Sequence, residues 1–266
     1  MGQSNLPSMP DIAARMVTEM RQPNCDASSI SSIIRMDPGT TAYLLRIANS
    51  ALYGGVSKVL KVENAIVRIG LTAARNLVTA HAVRAMFFTS SPMLSTIMDQ
   101  SWRSSARLAA LSSVLASRCS TFSPERAMLA GLFQDIGTLP ILKALESVDE
   151  SLLDEALVRR VIDRFSTQVG VALLRYWKFD EDLMEVVRSR CDWHRNPQPY
   201  PDLADLVLLA RMHECIGTSG MIGLPPINEL SAFSKFPLGE LSPDASLGIL
   251  REAESAVQEI VQSLAA

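Results

Sequence analysis

The residues of this chain that could take part in metal chemistry are few and widely separated. Its three histidines, His81, His194 and His213, lie in different segments, and no HExxH pair is present. Metal-dependent hydrolases need several His, Asp or Glu ligands that helix or turn spacing brings together. Cys191 and His194, three residues apart in CDWHRNPQP, make only a weak pair of ligands. The histidines therefore predict packed or surface side chains, and no metal site.

Two other routes to catalysis are also missing from the sequence. It contains no GxSxG turn and no cysteine in a recognisable frame with a histidine, so nucleophilic catalysis has no visible residue set. It contains neither GxxxxGK[ST] nor GxGxxG, and Gly217, Gly220 and Gly223 follow no predicted strand. The residues by themselves predict no catalytic group and no cofactor.

Asp135 is the acidic residue whose position raises a functional question. It lies in LAGLFQDIGTL, residues 129–139, which predicts a helix with Asp135 on its last turn and a sharp turn at Gly137. Its carboxylate belongs either to a working metal centre or to a place where a metal centre used to be. The first alternative makes the protein a hydrolase, and the second makes it a binding or signalling module.

The composition is that of an ordinary globular protein of 266 residues, 48% hydrophobic and 20% charged. A net charge of -3 disfavours binding to a phosphate backbone, because that affinity comes mainly from Lys and Arg. We see no membrane-spanning apolar run and no secretory signal. The four cysteines form no CxxC pair, which favours separate reduced thiols and a cytoplasmic location.

Helical periodicity runs through almost the whole chain, and no window shows sustained alternation with a period of two residues. Asp26 precedes ASSISSIIRM as a helix N-cap, and Ser123-Pro124 starts a later helix in the same way. Gly70 is expected to close the segment VENAIVRI. The predicted fold class is all-α.

The predicted helices fall into two groups that divide near TSSPM. Residues 1–90 are expected to form a small N-terminal helical bundle, and residues 91–216 a longer bundle with a helical break near residue 166. Residues 217–266 are expected to begin as an irregular connection rich in Gly, Pro and Ser. They end in one amphipathic helix from Pro243, whose broad apolar face is expected to pack back on the same domain.

Several segments of the chain resemble one family, in order and in spacing. LPSMP at 6–10, IIRMDPGTTAYLLRIANSALYG at 33–54 and AIVRIGLTAARNLV at 65–78 are similar to the N-terminal half of the HDOD family, the HD-related output domain of bacterial signalling proteins. SWRSSARLAALSSVLA, PERAMLAGLFQDIGTLPIL and VGVALLRYWKFDEDLMEVV continue the resemblance to about residue 215. It implies an all-α fold in which a small N-terminal bundle packs on a bundle related to HD-type metal phosphohydrolases.

The resemblance also implies which positions correspond to the metal ligands of catalytic HD proteins. The first His, the His-Asp pair, the later paired histidines and the late acidic residue correspond to Ser104, Gln134-Asp135, Arg190-Cys191 and Arg211. A neutral amide and a permanently charged guanidinium are poor replacements for imidazole. We interpret these positions as a vestigial HD pocket without a metal, and we expect Arg190 or Arg211 to pair with Asp135. The alternative is that Asp135 only caps the following turn.

A second candidate site is the stretch ANSALYG. Asn49 is expected to end a helix in the left-handed conformation, Ser50 to satisfy freed backbone groups, and Tyr53 to fill the seam between the two bundles. In the alternative interpretation this stretch is an interaction loop that faces a partner, since loops on a rigid scaffold often carry recognition.

The leading interpretation is a catalytically silent HDOD module, not an enzyme, that acts in bacterial signal transduction by binding another protein or domain. The resemblance implies a receiver, a kinase or a cyclic-dinucleotide enzyme as the class of partner, without identifying one. Whether such a domain was once attached to this chain stays open, and no contact with a membrane is expected.

Three further interpretations have lower rank. The first is a small-molecule sensor in which Arg190, Gln134 and Ser104 recognise a nucleotide or another anion, since a guanidinium suits phosphate. A residual metal-dependent enzyme comes next. Nucleic-acid binding comes last, because Arg68, Arg75 and Arg84 make only a loose stripe at spacings of seven and nine residues.

Overall fold

The computed structural model describes residues 6–50, 53, 57–119, 121–236, 243–252 and 254–265. Within these ranges the regular elements are helices and no strand is present, which confirms the all-α class. In chain order the α-helices are α1 (Asp11–Glu19), α2 (Ala27–Arg35), α3 (Pro38–Ala48), α4 (Val62–Ile69), α5 (Leu71–Arg84), α6 (Pro92–Ala116), α7 (Pro124–Phe133), α8 (Thr138–Leu145), α9 (Glu155–Tyr176), α10 (Glu181–Arg188), α11 (Leu203–Cys215), α12 (Ser231–Lys235), α13 (Pro243–Glu252) and α14 (Glu254–Ala265).

Helices α1 to α5 pack on one another, and their ends follow the capping signals of the sequence. Asp26 accepts a hydrogen bond from the backbone N–H of Ser29 at 2.8 Å, and the Ser29 hydroxyl accepts one from the Asp26 N–H. Asp37 caps α3 through the N–H of Thr40 at 2.7 Å. Gly70 closes α4 with a φ of 93°, a conformation that a residue without a Cβ adopts without strain.

Helices α6 to α11 form the second group, with the 25-residue α6 packed against α7, α8 and α11. The buried apolar side chains make one cluster that extends from Met16 in α1 to Leu264 in α14. The two groups of helices therefore share a single core, and the seam between them is part of it.

One stretch of the described chain, Pro124–Leu145, has the length and composition of a membrane-spanning helix. In the fold it consists of two helices, α7 and α8, separated by a turn at residues 134–137, and 78% of its apolar window is buried inside the protein. Its apolar side chains therefore belong to the core that holds Asp135 in place.

The turn between α7 and α8 lies directly against α9. The prediction that Asp135 sits on the last turn of a helix is wrong, because α7 ends at Phe133 and Asp135 belongs to the turn that follows. Gly137 has an ordinary right-handed backbone with φ of -65°. Space requires the glycine here: a Cβ on Gly137 would lie 1.9 Å from the backbone oxygen of Ser166.

Helix α9 runs without interruption from Glu155 to Tyr176, so the predicted break near residue 166 is wrong. Gly170, in its middle, faces the same turn: a Cβ on Gly170 would lie 3.1 Å from the backbone nitrogen of Gly137. The two glycines let α9 approach the turn closely, and that packing outweighs the low helix propensity of a single glycine.

The C-terminal part begins as an irregular connection, as predicted, with the short helix α12 inside it. From Pro243 the described residues are helical, as predicted, in α13 up to Glu252 and in α14 from Glu254, and residue 253 lies outside the described part of the chain. Helix α13 packs on α6, and α14 packs on both α6 and α5. The apolar face of α14 is thus buried against its own chain.

Candidate functional site

Asp135 lies where the α7–α8 turn, the residues after α10 and helix α11 meet. Arg190 donates a hydrogen bond to its Oδ1 oxygen. Nη1 of Arg211 donates to its Oδ2 oxygen at 2.7 Å and to Oε1 of Gln134 at 2.9 Å. The predicted pairing of a guanidinium with Asp135 is confirmed, and both arginines take part.

The three charged side chains of this cluster are largely shielded from solvent, with exposed fractions of 19% for Asp135, 11% for Arg190 and 21% for Arg211. Burial by itself raises the pKa of Asp135, but the charges of Arg211 and Arg190 hold it below its ordinary value. Burial likewise lowers the pKa of Arg211, and the Asp135 carboxylate more than reverses that effect. The Asp135 carboxylate and the Arg211 guanidinium therefore stay charged across the physiological range.

Ser104 belongs to the same region but its hydroxyl is turned to another partner. Its Oγ donates to Oε1 of Glu214 at 2.8 Å. Burial raises the pKa of Glu214, and the nearby Arg211 and Asp135 charges act on it in opposite directions. The sequence interpretation missed Glu214. Its spacing of three residues from Arg211 on α11 is the signal that would have placed both on one face.

The vestigial HD pocket does not fit the metal centre that the HD relationship implies. Of its five residues only Asp135 carries a carboxylate, and a guanidinium engages each oxygen of that carboxylate. The neighbouring Glu214 accepts a hydrogen bond from Ser104. Oε1 of Gln134, the other oxygen donor beside it, already accepts from Arg211. The guanidinium charges of Arg190 and Arg211, both in hydrogen-bonding contact with Asp135, would repel a divalent cation placed beside that carboxylate. Over the described part of the chain, no three His, Cys, Asp or Glu side chains form a group that could hold a metal ion.

The histidines lie outside this cluster. His81 stacks on Tyr43 with ring centroids 4.4 Å apart. His213 is buried in α11, its Nε2 lies 2.8 Å from the hydroxyl of Ser246, and burial lowers its pKa to about 4. His194 and Cys191 are exposed. All four cysteines are free, which confirms the prediction of separate thiols.

A second buried charged cluster holds the segment that carries Arg190. Arg195, in the connection between α10 and α11, donates to Asp202 at 2.7 Å and also bonds Asp205 in the first turn of α11. Lys235 of α12 lies 3.0 Å from both carboxylate oxygens of Asp205. No sequence signal separated these ion pairs from ordinary surface charges. They tie the Arg190 segment and α12 to the helix that carries Arg211.

The end of α3 is held by the side-chain amide of Asn49. The prediction of a left-handed Asn49 is wrong, since its φ is -103°. Its Nδ2 donates to the carbonyl of Leu45 at 2.7 Å, and its Oδ1 accepts from the N–H of Val59 at 2.8 Å. These bonds join the helix end to the segment before α4, so the chain can turn there without positive φ.

The other two residues of the candidate interaction loop take the structural positions expected of them. The Ser50 hydroxyl donates to the carbonyl of Ile47 at 2.8 Å. The Tyr53 hydroxyl lies 3.5 Å from Oε1 of Glu125 in α7, in the seam between the two groups of helices, and burial raises its pKa. Residues 51–52 and 54–56 lie outside the described part of the chain. A partner-binding role for the loop stays a prediction.

A sequence model of the HDOD domain matches residues 6–193 of this chain. The crystal structure of a protein from Shewanella amazonensis SB2B, named as a candidate metal-dependent phosphohydrolase, has a TM-score of 0.79 at 25% identity, and the match covers 97% of this chain and 92% of that one. A candidate signal transduction protein from Marinobacter aquaeolei VT8 has a TM-score of 0.62 at 17% identity, over 98% of this chain and 60% of that one.

An uncharacterised protein of Treponema pallidum (strain Nichols) is 20% identical over an alignment of 222 residues, and the match covers 78% of this chain. The match covers only 42% of the length of that relative. The similarity therefore concerns one part of a longer protein.

Proposed function

Since the chain belongs to the HDOD domain family, we propose that it is a non-catalytic regulatory module of bacterial signal transduction that acts by binding another protein. The similarity in fold to a candidate signal transduction protein supports the signalling role. The observation that carries the non-catalytic part is the placement of Arg190 and Arg211 on the two oxygens of Asp135.

The arginines matter because they supply the positive charge that a metal would otherwise supply. A divalent cation stabilises a buried carboxylate and joins the elements that ligate it, but it also leaves a coordination position open for water or substrate. The guanidiniums of Arg190 and Arg211 stabilise Asp135 and join the same elements without offering such a position. The cluster therefore keeps the structural effect of a metal and loses its Lewis acidity.

Metal-dependent hydrolysis is the alternative to test, given the similarity to a candidate metal-dependent phosphohydrolase. The test is metal content by plasma mass spectrometry after incubation with manganese, iron or zinc, together with turnover of bis(p-nitrophenyl) phosphate. We expect less than about a tenth of an equivalent of metal, and no turnover, because metal catalysis needs a bound ion.

The matched controls for this test are two single substitutions. Asp135→Asn removes the one carboxylate of the vestigial HD pocket, whereas Asp99→Asn alters a carboxylate on α6 that is 52% exposed. Stoichiometric metal in the wild type that is lost in Asp135→Asn and kept in Asp99→Asn would overturn the proposal.

Recognition of a nucleotide or another anion in the vestigial HD pocket is opposed by the contacts already present. Arg190 and Arg211 are paired with Asp135, and the Ser104 hydroxyl is bonded to Glu214. An anion would have to displace the carboxylate of Asp135 from both guanidiniums. Titration calorimetry with inorganic phosphate and a cyclic dinucleotide is expected to show no binding at this site.

The arginines proposed for nucleic-acid contact are also engaged within the chain. Arg68 donates to the carbonyl of Ser57, Arg75 to the amide oxygen of Asn76, and Arg84 to the carbonyl of Phe87. These contacts favour a structural role over a phosphate-binding stripe. A receiver, a kinase or a cyclic-dinucleotide enzyme remains the proposed class of partner. The four free cysteines support a cytoplasmic location, where thiols stay reduced.

A further inference from the structure

Helix α14 covers a groove in the seam between the two groups of helices. The groove is lined by apolar side chains from both groups, contributed by α3, α5 and α7: Tyr43, Ile47, Leu77 and Met128. Trp102 of α6, 2% exposed, lies beneath the C-terminal end of α14. A helix in this position contacts both groups at once.

The attachment of α14 to this groove is almost entirely apolar. Val257, Ile260 and Leu264, spaced by three and four residues, lie on one face and are 1%, 4% and 3% exposed. The indole N–H of Trp102 donates to the backbone carbonyl of Leu264 at 3.1 Å. Among the α14 side chains that the structure describes, the one hydrogen bond runs between Gln258 and Glu254, within the helix.

The fit of α14 to the groove is incomplete in one respect. Tyr43 is 3% exposed, and its hydroxyl has no hydrogen-bond partner among the residues that the structure describes. Tyr43 lines a small cavity under α14 together with Ser50 and Glu259. An unpaired buried hydroxyl destabilises the docked state, because the water it bonds when exposed is not replaced. A helix that offered an acceptor to Tyr43 would bind this groove more tightly than α14 does.

We propose that this groove is the docking site for an amphipathic helix of a partner protein, and that α14 is its resident occupant, which the partner helix displaces. The position of α14 specifies the partner chemistry: apolar side chains at i, i+3 and i+7, as at residues 257, 260 and 264, and a Gln or Glu acceptor directed at Tyr43. Binding of an amphipathic helix in an apolar groove is a common mode of peptide recognition.

Ser50 of the candidate interaction loop also lines the cavity under α14. This inference rests on the proposed function in one respect, that the module acts by binding protein. It assigns the binding to a site remote from the vestigial HD pocket.

The test uses the full chain and a fluorescent peptide with the sequence of residues 254–266, ESAVQEIVQSLAA. The Ile260→Asp variant places a charge against the groove and releases α14. We expect the peptide to bind this variant at least about tenfold more tightly than it binds the wild type, where the tethered α14 competes at high effective concentration. Gln262→Asp, at an exposed position of α14, is the matched control and is expected to behave as the wild type.

Two further measurements keep the result interpretable. Circular dichroism shows whether Ile260→Asp is folded, and acrylamide quenching of tryptophan fluorescence reports exposure of Trp102, which the peptide is expected to reverse. Adding Tyr43→Phe to Ile260→Asp removes the unpaired hydroxyl, so the affinity for the peptide is expected to rise about fivefold.

The proposal fails if Ile260→Asp is folded with Trp102 exposed and yet does not bind the peptide. It also fails if a peptide that itself carries Ile260→Asp binds equally well. Neither result bears on the metal test of the proposed function, and a metal found at Asp135 would leave the groove experiment unaffected.

Discussion

Nη1 of Arg211 lies 2.7 Å from Oδ2 of Asp135, across 76 residues of sequence. This contact joins α11 to the turn between α7 and α8, and Arg190 adds the residues after α10 through the other carboxylate oxygen. A metal ion at this position would join the same three parts of the chain. The two guanidiniums do so here, and they also satisfy the charge of a carboxylate that burial would otherwise destabilise.

Removal of one guanidinium is expected to destabilise the fold. Arg211→Met leaves the shielded Asp135 carboxylate with one partner, and we expect the free energy of unfolding to fall by about 2–4 kcal/mol. Urea unfolding followed by circular dichroism measures the change. The control is Arg188→Met in α10, whose partners Glu181 and Glu185 are 69% and 37% exposed, and its loss is expected to stay below about 1 kcal/mol. Equal losses for the two variants would contradict the structural role of Arg211.

Buried His213 is expected to make stability fall in weak acid. Burial lowers its pKa from an ordinary value of 6.5 to about 4. As the pH falls below 6.5, His213 binds a proton in the unfolded state but stays neutral in the folded state. The stability that is fully present above pH 6.5 is therefore lost as the pH falls from 6.5 to 4. His213→Gln keeps a partner for Ser246 and does not titrate.

Between pH 7 and pH 4 the wild type is therefore expected to lose about 3 kcal/mol more than His213→Gln does. Urea unfolding at each pH provides the comparison. His194→Gln, at an exposed position, is expected to follow the wild-type profile. Parallel profiles for the wild type and His213→Gln would show that another group controls the acid response.

Lys235 is expected to anchor the irregular connection to the rest of the fold. Its side chain is 3% exposed and that of its partner Asp205 is 0% exposed, so Lys235→Met leaves a fully buried carboxylate with fewer partners. We expect a loss of about 3 kcal/mol and faster proteolysis within residues 217–236. Lys143→Met, which breaks an ion pair with a Glu146 side chain that is 31% exposed, is the control. Unchanged proteolysis in Lys235→Met would argue against the anchor.

Close packing of the Asp135 turn on α9 predicts strong sensitivity at Gly137. A Cβ there meets the Ser166 carbonyl oxygen at 1.9 Å, so Gly137→Ala is expected to cost about 3 kcal/mol or to prevent folding. Gly248 of α13 has no atom within 4 Å of the corresponding Cβ position. Gly248→Ala is therefore expected to be neutral or to stabilise by up to about 1 kcal/mol, as thermal unfolding would show. Similar melting temperatures for the two variants would refute the close contact.

Most of the helices could be predicted from local signals, and the failures have a common cause. Asp26, Ser123 and Gly70 act within one turn of their own position, so the capping rules place them correctly. Gly137 and Asn49 depend on residues distant in sequence. Gly137 is required by the approach of α9, and Asn49 bonds Val59 instead of adopting positive φ.

In the candidate site, too, the sequence motifs identified some of the residues, whereas their contacts became clear only from the tertiary structure. The family motifs led to Asp135, Arg190 and Arg211 as related positions, and charge chemistry predicted that an arginine would pair with the carboxylate. Neither indicated that both arginines would do so. Glu214 also escaped notice, because its role depends on the hydrogen bond from Ser104, 110 residues away.

The sequence by itself determined the all-α class, through its local periodicity, and the family, through motifs matched in order and spacing; the absence of the usual metal ligands is what that resemblance implies. Only the tertiary structure decided how the remaining charges are neutralised and which surface α14 covers. The physical reason is that the pairing of charges and the burial of apolar faces depend on distances between elements far apart in the chain. Those distances are set by the packing of the whole core.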